Sequence, residues 1–353
     1  MALQARYKRY TLHFRFPAGT SRGVLHRRDV WLVRITDEAH PGLEGWGEAA
    51  PLQGLSPDAR PDLEKILAVA CERAGKEGFH PSELPARFPS VRFAMEAALR
   101  DLEQGGKHIL YPSAFTRGEE SIPINGLIWM GDPGWMKAQI KEKIEAGFHV
   151  LKMKVGALAL EDELELLHLI RKEYSGRDLE IRLDANGAFP PGEAPEILER
   201  FAAYDIHSIE QPIAPGRHEA MARLCTSSPI PVALDEELIG PWHGREKEKL
   251  LDLLHPAYLV LKPTLLGGLS ATEEWIRLAR ERGTGWWITS LLESNVGLNI
   301  LAQWTYTLGN PLPQGLGTGM VFTNNFPSPL YLDGEHLHFD PSRIPLPELP
   351  WNE

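Results

Sequence analysis

Only two cysteines, Cys71 and Cys225, occur among 353 residues. That is too few for a disulfide framework or a thiolate metal cage, and it fits a reducing cytoplasm. No run of about 18 uninterrupted apolar residues exists either, so no membrane-spanning helix is expected. The opening stretch MALQARYKRYTLHFRF alternates apolar with basic residues and lacks a signal-peptide core with a small-residue cleavage site. It reads as a strand. A mononucleotide fingerprint and a Gly-rich phosphate loop are also missing. Positive charge is scarce: 37 Lys and Arg face 48 Asp and Glu, a net charge of −11. Nucleic acid and membrane surfaces are therefore poor partners. An anionic small-molecule substrate would need local cations or a metal to draw it in.

What is present is an ordinary globular composition, 43% hydrophobic and 24% charged, of a length that suits a barrel plus an accessory domain. In the first 50 residues YTLHFRF, DVWLVRIT and GLEGWGEAA alternate as strands do. Helical spacing follows over Pro57–Gly75 and Phe88–Gln104. From about Ile122 short apolar runs alternate with amphipathic stretches: IPINGLIWM, HVLKMKV, EIRLDAN, IHSIEQP, PVALDEE, AYLVLKP, GWWITSLLE and a last segment at Leu312–Thr318. Eight such strands with helices between them predict an α/β fold with a parallel sheet, closed as a barrel. We divide the chain at 1–121, an α+β block; 122–325, the barrel; and 326–353, a C-terminal segment. The last carries a hairpin at Asp333-Gly334 and is expected to return to the N-terminal block.

The ends of the apolar runs carry the chemistry. VLKMK ends on Lys154, IRLD on Asp184, HSIE on Glu210, VALD on Asp235, LVLK on Lys262 and ITSLLE on Glu293. Successive separations are 30, 26, 25, 27 and 31 residues, about one strand–helix unit each. Each ionisable residue thus falls at the C-terminal end of a strand, the face where barrel enzymes hold their active sites. Three consecutive acids suit a hard cation such as Mg²⁺, with Mn²⁺ as its substitute. Zn²⁺ would recruit His or Cys, and none of the 13 histidines lies at these ends. Lysines beside a metal-bound carboxylate make sense for removing a weakly acidic α-proton, because a neutral amine, its pKa depressed by neighbouring positive charge, can act as the base.

A lone Asp or Lys after a strand is usually a solvated loop charge. Six in register, with the acids contiguous and lysines flanking, are much harder to reach by chance. For Glu293 a structural role stands beside the functional one, since a strand-end Glu serves structure equally well. Trp286-Trp287, His149, His207 and the cysteines read as core or structural residues.

KMK (152–154), DAN (184–186), EQP (210–212), DEE (235–237) and KP (262–263) closely resemble the muconate-lactonising subgroup of the enolase superfamily. GWGEAAPLQGLS (45–56) is similar to that family's capping domain, so the resemblance spans nearly the whole chain. It implies a (β/α)7β-type TIM barrel with an α+β N-terminal capping domain that closes the mouth through loops near Pro17–Gly23 and Pro51–Ser56. It also implies Asp184, Glu210 and Asp235 as Mg²⁺ ligands, Lys154 as the base with Lys152 beside it, and Lys262 on the opposite substrate face. Asn186, Ser290, Glu293, Gly317 and Thr318 are the implied substrate-binding positions. IPINGLIW, LKPTLLGG, SLLESNVGL and GLGT (315–318) are similar to the branch that dehydrates a cyclohexadiene hydroxy-carboxylate in menaquinone biosynthesis.

Two alternatives stay open at this stage: an N-acyl (N-succinyl) amino acid racemase using Lys154 and Lys262 as opposed acid/base groups, and an inactive barrel kept as a binding protein. Dipeptide epimerases are disfavoured, because GLGTGMVF carries no acid where they have a DxD motif. Sugar-acid dehydratases are disfavoured by Lys262 and Glu293 standing where a His–Asp pair would be. The expected partner is a small-molecule carboxylate, and a homo-oligomer remains open.

Overall fold

The computed structural model describes residues 3–20, 23–76 and 78–343. The alternating N-terminal segments form an antiparallel meander of β1 (Leu3–Thr20), β2 (Gly23–Asp37) and β3 (Glu44–Ala49). Helices α1 (Leu63–Ala74) and α2 (Pro89–Glu103) cover one face. The helix expected from Pro57 begins only at Leu63, since Pro57 and Pro61 keep the intervening residues in turns. In β2, Val33 and Ile35 pack toward the helices, whereas Val30 joins Leu12, Phe322 and Trp129 on the barrel side. Glycine sets the spacing of β3 from α2. A Cβ on Gly45 would lie 2.0 Å from the Ala98 carbonyl oxygen, and one on Gly47 would lie 1.9 Å from that of Ala94. The other face of α2 gives Phe93 and Ala97 to the barrel core, so one helix belongs to both cores.

The barrel follows the sequence rhythm. After the short β4 (Ile122–Pro123) come β5 (Gly126–Ile128), α3 (Pro133–Glu145), β6 (Val150–Lys154), α4 (Leu160–Glu173), β7 (Glu180–Asp184), α5 (Ala194–Ala202) and β8 (Ser208–Glu210). The second half comprises α6 (His218–Ser227), β9 (Val232–Leu234), α7 (Gly244–Leu254), β10 (Tyr258–Leu261), α8 (Pro263–Leu266), α9 (Leu269–Arg282), β11 (Gly285–Ile288) and α10 (Asn295–Thr307). Strands β5 to β11 are parallel neighbours in sequence order. Parallel bridges Thr289↔Gly315 and Ile124↔Gln314 close the ring. The eighth strand is thus reduced to Gln314–Gly315, because Pro311, Pro313 and the glycines at 315, 317 and 319 cannot sustain a longer ladder.

The expected hairpin forms as β12 (Leu330–Asp333) and β13 (His336–Phe339), and β13 meets the end of the 1–121 block, with Ser121 Oγ 3.0 Å from His336 Nδ1 and the Phe115 and Phe339 rings 5.7 Å apart. β13 also pairs with β4, which makes a three-stranded sheet separate from the barrel strands. The segment before it also contacts that block, the Tyr10 and Phe326 rings lying 4.8 Å apart. The Thr323 N–H donates to the His13 carbonyl at 2.9 Å, and the Phe14 and Phe322 rings lie 4.7 Å apart. Residues 344–353 of the expected C-terminal segment, and Ser21 and Arg22 of the expected first loop, lie outside the described residues. Among the described residues no helix is long and apolar enough to cross a membrane.

Candidate active site

Strand register brings the sequence candidates to one mouth. Lys154 is the cross-strand partner of Asp184, and Asp184 that of Glu210. Asp235 and Lys262 each follow the last residue of their strands, β9 and β10. The Lys152 ammonium bridges two acids, 2.9 Å from Asp184 Oδ2 and 2.6 Å from Glu210 Oε2. Lys154 Nζ donates to Asp184 Oδ2 at 2.9 Å and also to Asn186 Oδ1. On the far side Lys262 Nζ is bonded to Asp235 Oδ2. The carboxylates of Asp184, Glu210 and Asp235 are buried, with side chains 1–2% exposed, whereas the lysines keep 10–15%.

This concentration of charge shifts the ionisation of its members. Burial alone would raise the Asp184 carboxyl, but Lys152, Lys154 and Lys262 outweigh it and hold the group well below the usual range. Glu210 goes the other way: burial, reinforced by Asp184, pushes it up to about 8 despite Lys152. Burial would lower Lys152 and Lys262, but the surrounding carboxylates dominate and raise both. Around these two lysines the positive charge is outweighed by acid.

A hard divalent cation fits this donor set on chemical grounds. Three carboxylates stand at successive strand ends, and Glu210 Oε1 is buried without a hydrogen-bond partner. Among the described residues no three acids, histidines or cysteines already converge as a cage, because their oxygens face the lysine ammoniums. Any cation bound here would share the carboxylates with those lysines.

A cavity of about 560 Å³ opens above the acids. Lys152, Lys154, Asp184, Asn186 and Lys262 line its polar floor. The substrate-binding candidates Ser290, Gly317 and Thr318 line one wall, with the Ser290 and Thr318 hydroxyls 2.7 Å apart. Leu52 and Leu55, from the second expected capping loop, supply apolar wall, as does Phe16, in β1 just before the first. Glu293 does not reach this cavity. Its Oε2 accepts the Leu291 N–H at 2.6 Å and its Oε1 the Thr264 hydroxyl, so it braces the loop instead of facing a ligand.

Two further residues were not singled out by the sequence. Glu236 lines the cavity and accepts from Asn186 Nδ2 at 3.2 Å. Gln211, in the left-handed region at φ 40°, accepts the Asp235 and Glu237 N–H groups through Oε1, both at 3.2 Å. It fixes the turn that presents Asp235. Their signal was already in view, as the second acid of DEE and the Q of EQP.

A closed parallel barrel with three successive carboxylates and opposed lysines at its strand ends is the architecture of an enzyme that handles a carboxylate substrate. The chain belongs to the enolase superfamily: residues 135–350 match the family described as enolase C-terminal domain-like. The o-succinylbenzoate synthase of Desulfotalea psychrophila (strain LSv54 / DSM 12343) is 44% identical over 363 residues, covering 94% of this chain and 98% of that protein. The crystal structure of MenC from Desulfotalea psychrophila LSv54 aligns with a TM-score of 0.85 at 40% identity, covering 96% of this chain and 100% of that one. The substrate-liganded L-Ala-D/L-Glu epimerase of Bacillus subtilis shares the fold, with a TM-score of 0.82 at 20% identity over 96% of each chain.

Proposed function

We propose that the protein is an o-succinylbenzoate synthase, a hydro-lyase that converts 2-succinyl-6-hydroxy-2,4-cyclohexadiene-1-carboxylate to 2-succinylbenzoate. The observation that carries this reading is the placement of Lys154 and Lys262 on opposite sides of one row of acids, each hydrogen-bonded to a different carboxylate. The 44% identity to a synthase of that name supports the substrate. In this reading residues 1–121 cap a barrel at 122–325, and the two unpaired cysteines agree with a cytoplasmic setting.

Asp184, Glu210 and Asp235 would hold Mg²⁺, which when bound supplies positive charge against the second negative charge that develops on the substrate carboxylate. The chain's own groups do the proton work. Lys154, as the neutral amine, takes the proton from the carbon bearing the carboxylate, and the electron pair of that C–H bond moves toward the carboxylate. The resulting Lys154 ammonium then gives its proton to the departing hydroxyl on the same face. The C–O bond breaks, water leaves, and the ring gains its third double bond. Lys152 holds Asp184 and Glu210 in place beneath. Lys262 offsets negative charge from the other ring face, including by cation–π attraction.

The test is direct: supply the cyclohexadiene substrate with Mg²⁺ and follow ultraviolet absorbance of the aromatic product. Turnover well above a metal-free blank is expected. No dehydration, together with deuterium exchange at the α-carbon of an N-succinyl amino acid in D₂O, would overturn this reading in favour of a racemase.

A further inference from the structure

The wall of the cavity is held by charges that the reaction itself does not use. Arg28, in β2, is 6% exposed and makes no ion pair among the described residues. Its guanidinium is spent on backbone carbonyls instead. Nη1 donates to Leu291 and, at 2.7 Å, to Leu292; Nη2 donates to Ala50 at 2.7 Å and Pro51 at 3.4 Å. Glu48, in β3, is fully buried and grips the same segment by its amides. It accepts from the Ser294 and Gly297 N–H groups, both at 2.8 Å, and from the Ser294 hydroxyl. The 291–297 stretch is thus clamped between a cation on its carbonyls and an anion on its amides, both supplied by the N-terminal sheet.

The geometry of that stretch depends on the clamp. Leu292 sits in the left-handed region at φ 60°, which a branched apolar side chain adopts only when its surroundings hold it there. A Cβ on Gly297 would lie 2.7 Å from Glu293 Cβ and 3.0 Å from Glu48 Oε2, so the carboxylate fits only because residue 297 is glycine. Leu291 and Leu292 line the cavity, and Leu52 and Leu55, just after the Ala50–Pro51 carbonyls, line it too. One guanidinium therefore sets two apolar wall segments relative to each other, one from each unit of the protein. Burying an arginine without a carboxylate is costly, and a methionine of similar length would fill the space without that cost. What a methionine cannot supply is a planar fork with several donors fixed in direction.

We propose that Arg28, with Glu48 as its counterpart, is a positioning residue that fixes the Leu291–Leu292 and Leu52–Leu55 walls and thereby sets affinity for the substrate. This rests on the dehydratase reading above, and it predicts a defect in KM rather than in kcat.

The experiment compares Arg28→Met and Arg28→Lys with Leu67→Ala, a cavity in the α1 core away from the mouth. Arg28→Met should raise KM about 10–100-fold with kcat within about threefold, because wall contacts bind ground state and transition state alike. Arg28→Lys, which keeps charge and some donors, should recover part of the loss and stands in if the methionine variant fails to fold. Leu67→Ala should lower the melting temperature and leave KM within about twofold. Binding of 2-succinylbenzoate, read by the fluorescence of the cavity residues Trp129 and Trp135, gives a second measure independent of turnover. An unchanged KM and product affinity in Arg28→Met, or a lysine variant no better than the methionine one, would overturn the proposal. Wild-type protein that binds product without turning over substrate would sink the dehydratase reading and leave the clamp to be judged on binding. Neither binding nor turnover would sink both.

Discussion

Lys152 Nζ lies 2.6 Å from Glu210 Oε2, while the other oxygen of Glu210 is buried without a partner. A lysine so placed compensates only part of the charge gathered there, because Asp184 and Asp235 also press on Glu210. Burying carboxylates together is unfavourable unless cations or donors satisfy them. The unpartnered oxygen is where the arrangement falls short, and a divalent cation would complete it. The acids and lysines thus form one coupled unit in which changing any member alters the charge that the others face.

Metal dependence follows. Dialysis against EDTA should abolish dehydration, and added Mg²⁺ should restore it, with Mn²⁺ as a substitute. Glu210→Gln, which keeps shape but cannot offer a carboxylate to the cation, should weaken Mg²⁺ binding at least about tenfold. Calorimetric titration of the metal alone reads this without reliance on activity. Equal Mg²⁺ affinity in variant and wild type would remove Glu210 from the ligand set.

For the base, Lys154→Ala should reduce turnover by about 10³-fold or more, within the range expected for loss of a positioned general base in a step that also needs its charge. Its ammonium contacts Asp184 and Asn186 at the surface of the cavity, so the fold should survive. Circular dichroism and the melting temperature check that. Folded protein that turns over at the wild-type rate would refute the assignment. Lys262→Ala should also lose activity, by a smaller factor, since in dehydration it contributes charge and transfers no proton.

How far the sequence went can be seen at individual positions. Lys154, Asp184, Glu210, Asp235 and Lys262 were legible because a parallel barrel puts each strand end on one face, and their 25–30-residue spacing repeats with the strand–helix unit. The α1 and α2 helices were legible from their apolar spacing. Glu293 misled for a local reason: the chain turns sharply at Leu292, φ 60°, and swings the carboxylate back onto Leu291 and Thr264. The reduced eighth strand was visible only as prolines and glycines, which say where a ladder stops but not that two bridges suffice to close the ring. Arg28 and Glu48 were hidden altogether, since the loop they hold, Leu291–Gly297, lies some 250 residues away and is reached mostly through backbone groups, invisible to any local pattern.

The contact between β3 and α2 can be tested on its own. Gly47→Ala would place a methyl 1.9 Å from the Ala94 carbonyl oxygen, a backbone atom that cannot rotate away. The sheet must then lift off the helix, and a loss of at least about 2 kcal/mol is expected. Gly192→Ala, where nothing lies within 4 Å, should be close to neutral. Because α2 also packs on the barrel through Phe93 and Ala97, the first variant should unfold at lower denaturant as a single transition spanning both units. A second, independent transition for the barrel would contradict a shared core.

Asp58 gives the stability a pH dependence of its own. It is fully buried, its Oδ2 accepting the Ser90 N–H at 2.8 Å and the Ser90 hydroxyl at 2.6 Å at the start of α2, while Oδ1 has no partner. Burial pushes its carboxyl up from 3.8 to about 6, against the lowering effect of the Ser90 bonds. A folded-state pKa above the unfolded one means the native protein binds the proton more tightly. The stabilisation is complete below about pH 4 and is lost as pH rises through about 6. Two units correspond to roughly 3 kcal/mol as an upper bound. Asp58→Asn cannot ionise, so its stability relative to wild type should swing in its favour by about 2 kcal/mol between pH 4.5 and 7.5. Urea unfolding midpoints for both proteins at the two pH values measure the swing. A stability difference that is the same at both would mean that the carboxylate is solvated in the folded protein and that burial does not govern its charge.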